Sequence, residues 1–331
     1  MHQSVLGFIF LEKCNFRCRH CCNESHPRAE GRMSPAEIVR HIREVAPTGE
    51  FAEVGISGGE PFLFPGDLHT IVAGAHDVGL TSSVTTNGFW GVTPDAAARA
   101  LRPLVSRGLA AVSISVSRFH LEYANTGRLL NAAGAALDAG LEVRVNVVRS
   151  RTFGVTDAHR LFGDLSRRLT FVTMPLIPAG RAARETETEN LPAQPGGFGG
   201  SCAEFFTKVA VTPNGDVYPC CSPGGFTPPL RAGNVGEESL PTIIEKMRSS
   251  TLHRVLKGVG PAFFVPFIGA RLQRDLATEP FVDQCHLCQT IMSDAAMRAV
   301  VNDALQQLES ELGELGITFE ELERESHPAT G

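Results

Sequence analysis

The sequence predicts an α/β protein with a parallel sheet in its first part and a smaller region with a β-hairpin and helices after it. Three observations predict this class. Short runs rich in Val and Ile alternate with longer segments of helical period up to about residue 175. Residues 177–200 have no periodicity and are rich in Pro, Gly and charge. Two strand-like runs then flank a Pro-Asn-Gly turn, which is a hairpin signal.

Six strand-like runs define the first part of the chain: VLGFIFL (5–11), AEVGIS (52–57), LTSSVTTN (80–87), AAVSISVS (110–117), LEVRVNVV (141–148) and LTFVTM (169–174). Each interval between them has room for a helix, and two intervals begin with a Ser-Pro or Thr-Pro pair that can open one. Such repeats favour parallel strands with right-handed crossovers. The pattern fits an open doubly wound sheet or an incomplete barrel, and either fold places its chemistry at the carboxyl ends of the strands.

The change in composition predicts the domain boundaries. We assign residues 1–180 to the first domain, 181–200 to a linker and 201–331 to a second domain. In the second domain, residues 239–257 and 290–326 have helical character, whereas residues 258–284 are rich in Pro and Phe and have no clear pattern.

Composition excludes several classes of function. Thirty-six acidic and thirty basic residues give a net charge of -6, with no basic run that would neutralise a phosphate backbone, so we expect no nucleic-acid partner. The N-terminal apolar run has no basic region before it and no cleavage site after it, and no stretch reaches the roughly 18 apolar residues of a membrane span. We therefore expect a cytoplasmic protein without a membrane partner.

The nine cysteines predict metal binding. An odd number cannot pair completely as disulfides, and a reducing compartment would not maintain such bonds. Cys14, Cys18 and Cys21 follow the first strand on one short loop. Three thiolates with this spacing can bind three irons of a cubane and leave the fourth iron open. A zinc site closed by His20 or Cys22 is the alternative.

The sequence resembles the radical S-adenosylmethionine (radical SAM) superfamily over residues 5 to about 180. The motifs that carry the resemblance are CNFRCRHC (14–21), SGGEP (57–61), TNG (86–88), SIS at the end of the fourth strand, and IPAGRA (177–182). The family's fold implies a partial (β/α)6 TIM-type barrel. The resemblance also implies that Cys14, Cys18 and Cys21 hold a 4Fe-4S cluster, and that S-adenosylmethionine contacts a second set of residues: Gly58, Gly59, Glu60, Asn87 and Ser115.

This chain departs from the family pattern at one position. Ser117 stands where many relatives have an Asp, two residues after the Ser that is expected at the ribose. The IPAGRA segment resembles the one that meets the adenine.

A second set of cysteines predicts an auxiliary site. Cys202, Cys220, Cys285 and Cys288 can supply all four ligands of a second 4Fe-4S cluster, and a structural zinc site is the alternative. GDVYPC resembles the start of the auxiliary-cluster domains that follow many radical SAM barrels, in the shortened, one-cluster form called SPASM/twitch. Cys22 and Cys221 are left over, and Cys221 can replace Cys220 as a ligand or act as a thiol near the substrate.

The resemblance implies an enzyme that reductively cleaves S-adenosylmethionine to a 5'-deoxyadenosyl radical, which abstracts a substrate hydrogen. We expect a reducing partner such as flavodoxin or ferredoxin. The favoured hypothesis is a two-electron oxidation of a small polar metabolite, a sugar or an aminocyclitol, in natural-product biosynthesis, with the auxiliary cluster as electron acceptor. Its support is the single auxiliary cluster and a barrel that begins near residue 5, without room for a leader-binding domain.

Two alternatives to this hypothesis stay open. One is a maturase that forms a thioether or carbon-carbon crosslink in a ribosomal peptide, and the other is a zinc or iron protein that is not an enzyme. Arg118, His120 and Tyr123 follow the fourth strand and are candidates to orient the substrate or move a proton.

Overall fold

The computed structural model describes residues 4–187, 190–195, 198–318 and 321. All six predicted strands and five predicted helices of the first part are present and alternate in this order: β1 Ser4–Leu11, α1 Pro35–Val45, β2 Phe51–Gly58, α2 Pro65–His76, β3 Thr81–Thr86, α3 Pro94–Val105, β4 Leu109–Val116, α4 Thr126–Asp138, β5 Glu142–Arg149, α5 Val155–Phe162 and β6 Thr170–Pro175. Strands β1 to β6 are parallel and neighbour one another in sequence order. The predicted α/β class and partial barrel are confirmed.

The helices begin where their capping residues predict. The Ser34 side chain accepts a hydrogen bond from the Glu37 N–H, and Glu37 bonds back to Ser34 in a capping box that opens α1. The Thr93 hydroxyl accepts a hydrogen bond from the Ala96 N–H and so caps α3, and Pro94 occupies the first turn of this helix. The helices pack their apolar faces on the sheet and form the main core with it.

The second part of the chain is built from short elements: α6 Ala182–Glu185, β7 Gln194–Pro195, β8 Lys208–Val211, β9 Asp216–Tyr218, β10 Gly233–Asn234, α7 Leu240–Ser249, α8 Thr251–Gly258, α9 Val265–Leu272, β11 Pro280–Phe281, α10 Gln284–Ser293 and α11 Ala295–Leu315. The segment expected to be one helix over 239–257 is two helices, and the segment expected over 290–326 contains a break at Asp294. Part of the assigned linker, 188–189 and 196–197, lies outside the described residues, as do 319–320 and 322–331.

The predicted hairpin is formed by β8 and β9, and it joins the sheet of the barrel. Strand β8 pairs in parallel with β1, with Val5 opposite Lys208. Within the described residues, one sheet therefore has nine strands in the order β10-β9-β8-β1-β2-β3-β4-β5-β6. Strand β9 runs antiparallel to β8, and the Phe206 N–H donates to the Pro219 carbonyl at 2.8 Å, so the chain that leaves β9 returns alongside the residues that precede β8.

A second, separate core lies among α8, α9, α10 and α11. In the part of the chain that the structure describes, no single helix is long and apolar enough to cross a membrane. Thr251–Gly258 and Pro261–Leu272 reach that length only together, and they meet at an angle of 109°.

Candidate active site

The loop of the first three cysteines is attached to the turn after β2. The Gly59 N–H donates to the Leu11 carbonyl at 2.7 Å, and the Glu60 N–H donates to the Lys13 carbonyl at 2.9 Å. A Cβ on Gly59 would lie 2.0 Å from that Lys13 oxygen. The Gly-Gly pair is therefore required for the close approach of the two backbones, whatever else it contacts.

A cavity of about 340 Å³ lies at the carboxyl ends of the strands. It brings together Cys14, Cys18 and Cys21 with four of the five residues expected at S-adenosylmethionine: Gly58, Gly59, Asn87 and Ser115. Ile177, the first residue of the IPAGRA segment, also lines this wall, together with Asn146 and Met174, which were not singled out from the sequence. The sequence pattern could have indicated Asn146 and Met174. Both lie in the carboxyl-terminal halves of their strands, β5 and β6, on the face that points into the barrel.

The donor set of this cavity fits an iron-sulfur cluster. Cys14 and Cys18 are buried, and this burial raises the pKa of Cys14 to about 12 and raises that of Cys18 as well. Such thiols ionise only when a cation stabilises the thiolate. Among the described residues, no three His, Cys, Asp or Glu side chains converge on a single ion. A cubane, which is wider than an ion, needs more widely spaced ligands.

Asn87 lies beside the first cysteine. Its Nδ2 donates to Asn15 Oδ1 at 2.9 Å and lies 3.7 Å from Cys14 Sγ, while its Oδ1 accepts the Phe89 N–H at 3.1 Å. Asn87 therefore orients the start of the cysteine loop as well as lining the cavity.

Glu60 does not line the cavity. Its carboxylate is fully buried and accepts hydrogen bonds from the Asn87 N–H at 2.7 Å, the Thr86 hydroxyl at 2.8 Å and the Phe62 N–H at 3.1 Å. Burial raises the pKa of Glu60 to about 7, against the effect of these three donors. In this structure Glu60 fixes the end of β3, and its expected contact with the methionine amino group stays a prediction.

Of the three candidates after β4, only His120 lines the cavity. Its Nδ1 lies 2.9 Å from the Ser117 hydroxyl, which is also 3.4 Å from His20 Nε2, and burial lowers the pKa of His120 to about 4. Ser117, the departure from the family pattern, therefore links two neutral imidazoles.

The other two candidates point elsewhere. Arg118 donates to Asn190 Oδ1 at 2.9 Å, and the exposed Tyr123 donates to the Arg17 carbonyl at 2.8 Å. Both side chains hold the outer rim of the site, because the chain turns away from the cavity immediately after β4.

The IPAGRA segment contains a residue whose role the sequence did not reveal. Arg181 is 3% exposed, and its guanidinium donates to the carbonyls of Cys18 at 2.8 Å, Glu24 at 2.5 Å and Ser25 at 2.9 Å. Its own N–H donates to the Cys21 carbonyl. Arg181 thus clamps the second half of the cysteine loop and the residues just after it, from Cys18 to Ser25. The preceding Gly180 has φ +56°, and a Cβ there would lie 2.2 Å from the Cys22 carbonyl.

The four cysteines of the predicted auxiliary site line a second, smaller cavity of about 20 Å³. Cys202 precedes β8, Cys220 follows β9, and Cys285 and Cys288 lie one turn apart on α10. Burial raises the pKa of all four thiols, that of Cys285 to about 12.

Two glycines close the wall of this second cavity. A Cβ on Gly225 would lie 2.3 Å from Cys220 Sγ, and one on Gly224 would lie 2.3 Å from the Cys285 carbonyl. The donor set and this cradle fit a fully ligated cluster.

The two remaining cysteines both line the first cavity, although one belongs to each cysteine pair. Cys22 follows the loop directly, and Cys221 is exposed to the cavity from the other half of the chain. Cys221 thus faces away from the cavity that its neighbour Cys220 lines.

Comparison with known proteins agrees with this arrangement. Residues 8–153 match the family model of the radical SAM superfamily, and residues 202–289 match SPASM, an iron-sulfur cluster-binding domain. The chain is a member of the radical SAM superfamily. These two domains imply S-adenosylmethionine and two 4Fe-4S clusters as cofactors.

Several relatives are similar along different lengths. The "Putative peptide biosynthesis protein YydG" of Bacillus subtilis is 21% identical over 310 residues, which are 89% of this chain and 94% of that protein. The "Probable GTP 3',8-cyclase" of Pyrobaculum aerophilum is 28% identical over 54% of this chain and 59% of its own length.

Solved structures of the superfamily are similar at a lower level. BtrN in complex with AdoMet and 2-DOIA has 16% identity and a TM-score of 0.48 over 84% of this chain and 92% of its own. Streptococcus suis SuiB bound to S-adenosylmethionine has 16% identity and a TM-score of 0.45 over 73% of this chain and 65% of its own.

Proposed function

We propose that this radical SAM enzyme modifies a peptide, and that Cys221 returns a hydrogen atom to the substrate carbon and so inverts its configuration. The observation that carries the proposal is the divergence of two adjacent cysteines, since Cys221 lines the cavity of about 340 Å³ and Cys220 lines the other. The similarity to YydG along 89% of the chain supports a peptide as the substrate class.

The proposed ligands follow from the two cavities. Cys14, Cys18 and Cys21 hold the cluster that binds S-adenosylmethionine, and Gly58, Gly59, Asn87 and Ser115 contact that cofactor. Cys202, Cys220, Cys285 and Cys288 hold the auxiliary cluster. When bound, S-adenosylmethionine supplies an adenosyl radical that removes a hydrogen atom from an unactivated C–H bond.

The chemistry assigned to Cys221 needs a thiol that meets the substrate without a metal bound to it. The peptide carbon that has lost its hydrogen takes the hydrogen of the Cys221 S–H bond. A new C–H bond forms, and inversion results when the thiol approaches from the face opposite to the lost hydrogen. Cys221 is then one electron and one proton short. A flavodoxin or ferredoxin supplies the electron, and solvent supplies the proton.

The surroundings of Cys221 suit this role. The protein atoms around its sulfur desolvate the thiol and raise its pKa more than the Lys208 ammonium lowers it, so the sulfur keeps its hydrogen. Lys208 forms an ion pair with Glu204 at 2.9 Å and lies close enough to Cys221 to lower its pKa, so its ammonium group can act as a proton donor there.

The test uses reconstituted enzyme, S-adenosylmethionine, a reductant and a pool of short synthetic peptides of randomised sequence in deuterated water. Because thiol hydrogens exchange with solvent, an inverted residue gains one deuterium, and we expect Cys221→Ser to abolish this gain while 5'-deoxyadenosine is still released. A peptide that loses two hydrogens would support the crosslinking maturase instead. Turnover of a sugar or aminocyclitol, with every peptide unchanged, would support the oxidation of a small metabolite. Absence of 5'-deoxyadenosine in every reaction would overturn the radical mechanism.

A further inference from the structure

Strand β6 ends the nine-stranded sheet on one side, and its outer edge is unprotected. In the described part of the chain β6 pairs with β5 alone. Natural sheet edges are usually blunted by charge, Pro, bulges or very short strands, because unpaired backbone groups attract another chain. Residues 170–174 contain no charged residue and no Pro, and Val172 is 39% exposed.

The opposite edge of the sheet is protected in the usual way. Strand β10 has two residues, Gly233 and Asn234. The Asn234 carbonyl accepts hydrogen bonds from the N–H groups of Glu237 and Glu238, at 3.0 and 3.1 Å. The contrast shows that the open edge at β6 is a particular feature and not a general property of this sheet.

The backbone groups that β6 offers can be identified from its register. The Leu176 N–H donates to the Arg149 carbonyl on β5 at 2.7 Å. Because successive residues of a strand point their backbone groups to opposite sides, residues 170, 172 and 174 also bond to β5, and Phe171 and Thr173 direct theirs to the free edge. Pro175, which lacks an N–H, falls on the free side, where it removes nothing from the ladder.

This edge leads directly into the active site. Met174 and Pro175 at the end of β6, and then Leu176 and Ile177, line the cavity that also contains Cys14 and Cys221. A chain paired with Phe171 and Thr173 therefore reaches the reacting centre within a few residues, since an extended chain advances about 3.3 Å per residue.

We infer that the free edge of β6 binds the substrate peptide as an added strand and so carries the reacting residue into the cavity. The inference rests on the proposed peptide substrate. In this mode of binding, main-chain hydrogen bonds supply affinity that depends little on the sequence of the peptide. Every second side chain of the peptide contacts the protein. Val172 is paired with Asn146, so the two side chains share the face of the sheet that points into the barrel. Every second side chain of the added strand would lie on that same face.

The test compares Thr173→Pro with Thr173→Val in the reconstituted enzyme. The Pro variant removes an N–H that the β5 ladder does not use, and the Val variant keeps it. With the pool of short randomised peptides, we expect conversion by the Pro variant to fall at least about tenfold, the effect of roughly 1.4 kcal/mol, while conversion by the Val variant and 5'-deoxyadenosine release by both stay near wild type. Iron content and melting temperature verify that the Pro variant is folded.

A second measurement does not depend on the variants. The peptides that the enzyme converts are identified first and are then added, unmodified, to the wild-type enzyme. Hydrogen–deuterium exchange should slow at the amides of Phe171 and Thr173. Peptide conversion with equal rates in the two variants and no slowing at these amides would overturn the edge inference and leave the proposed function intact. Release of 5'-deoxyadenosine without conversion of any peptide would instead overturn the proposed function, and the inference with it.

Discussion

The two cysteine-lined cavities of this protein differ in how they are assembled and in what surrounds them. The first is about 340 Å³, receives the three expected cluster ligands, Cys14, Cys18 and Cys21, from one loop and includes polar side chains such as Asn87 and Ser115. The second is about 20 Å³ and receives four cysteines from three separate segments. Three donors in a roomy cavity leave space for a cofactor and a substrate, whereas four donors around a small cavity leave none. The volume left around the cysteines, more than their number, separates a site with room for chemistry, called the open site below, from a site that its cluster fills, called the closed site below.

The doubled cysteines connect these two regions. In each pair of adjacent cysteines one member is the expected ligand of a cluster, Cys21 in the first cavity and Cys220 in the second. Both extra members, Cys22 and Cys221, line the first cavity. The second half of the chain thus contributes a free thiol to the site that the first half builds.

The largest effect should come from removing a ligand of the open site. We expect Cys21→Ala to lose about half of the iron and all cleavage of S-adenosylmethionine, because the cluster loses one of three ligands. Cys22→Ala should keep both. Iron and 5'-deoxyadenosine are measured after anaerobic reconstitution, and Cys288→Ala is the control from the closed site, with half of the iron lost and cleavage retained. If Cys22→Ala loses iron and Cys21→Ala does not, the ligand assignment within the pair is reversed.

A slightly smaller effect is expected from the clamp on the cysteine loop. Arg181→Met keeps most of the side-chain volume but leaves the buried carbonyls of Cys18 and Ser25 without their donor, at a cost of about 1–3 kcal/mol each, and also removes the partly buried bond to the Glu24 carbonyl. We expect the first site to retain several-fold less iron and the melting temperature to drop. Arg184→Met is the matched control, because Arg184 lies three positions further along in α6 and its exposed side chain forms an ion pair with Glu24. Equal iron in the first site of the two variants would show that the loop holds its shape without the clamp.

The closed site can be perturbed without touching a cysteine. Alanine at Gly225 puts a methyl group 2.3 Å from Cys220 Sγ, so either the sulfur or the loop must shift. In a Cys21→Ala background, where the second site holds the remaining iron, we expect Gly225→Ala to reduce that iron severalfold. Gly134→Ala adds a methyl group that meets nothing within 4 Å and should change little. Unchanged iron content in both variants would mean that the loop at Gly224 and Gly225 can shift to accommodate the added methyl group without loss of the cluster.

The smallest effect concerns the wall of the open site. Burial lowers the pKa of His120 from 6.5 to about 4 in the folded protein. Between these values the unfolded chain binds more protons, so this residue makes stability fall as pH decreases from 6.5 to 4, by up to about 3 kcal/mol. Urea unfolding of the cofactor-free protein across this pH range should show a shallower decrease for His120→Gln than for wild type. Parallel pH profiles for the two proteins would contradict the assigned burial.

The first cysteine loop, the strands and most helices were predictable because their signals are local. Three cysteines on one loop and a Gly-Gly turn after the next strand are motifs of adjacent residues, and the Ser34 and Thr93 caps mark helix starts within a few positions. The clamp by Arg181 was not predictable in this way. It joins residues more than 150 positions apart, and a single Arg in a segment without periodicity carries no signal of its burial.

The sequence by itself determined the β/α alternation, the hairpin and the membership of the chemistry-bearing motifs in one family, because periodicity and motif spacing are properties of contiguous residues. Only the tertiary structure decided that the hairpin extends the barrel sheet through β8 and β1, and that Cys221 lines the first cavity while Cys220 lines the second. Adjacent residues on an extended chain project to opposite sides, so a one-residue difference in sequence becomes a difference of site. Which side faces which cavity depends on the strand pairing, and contacts between distant segments set that pairing.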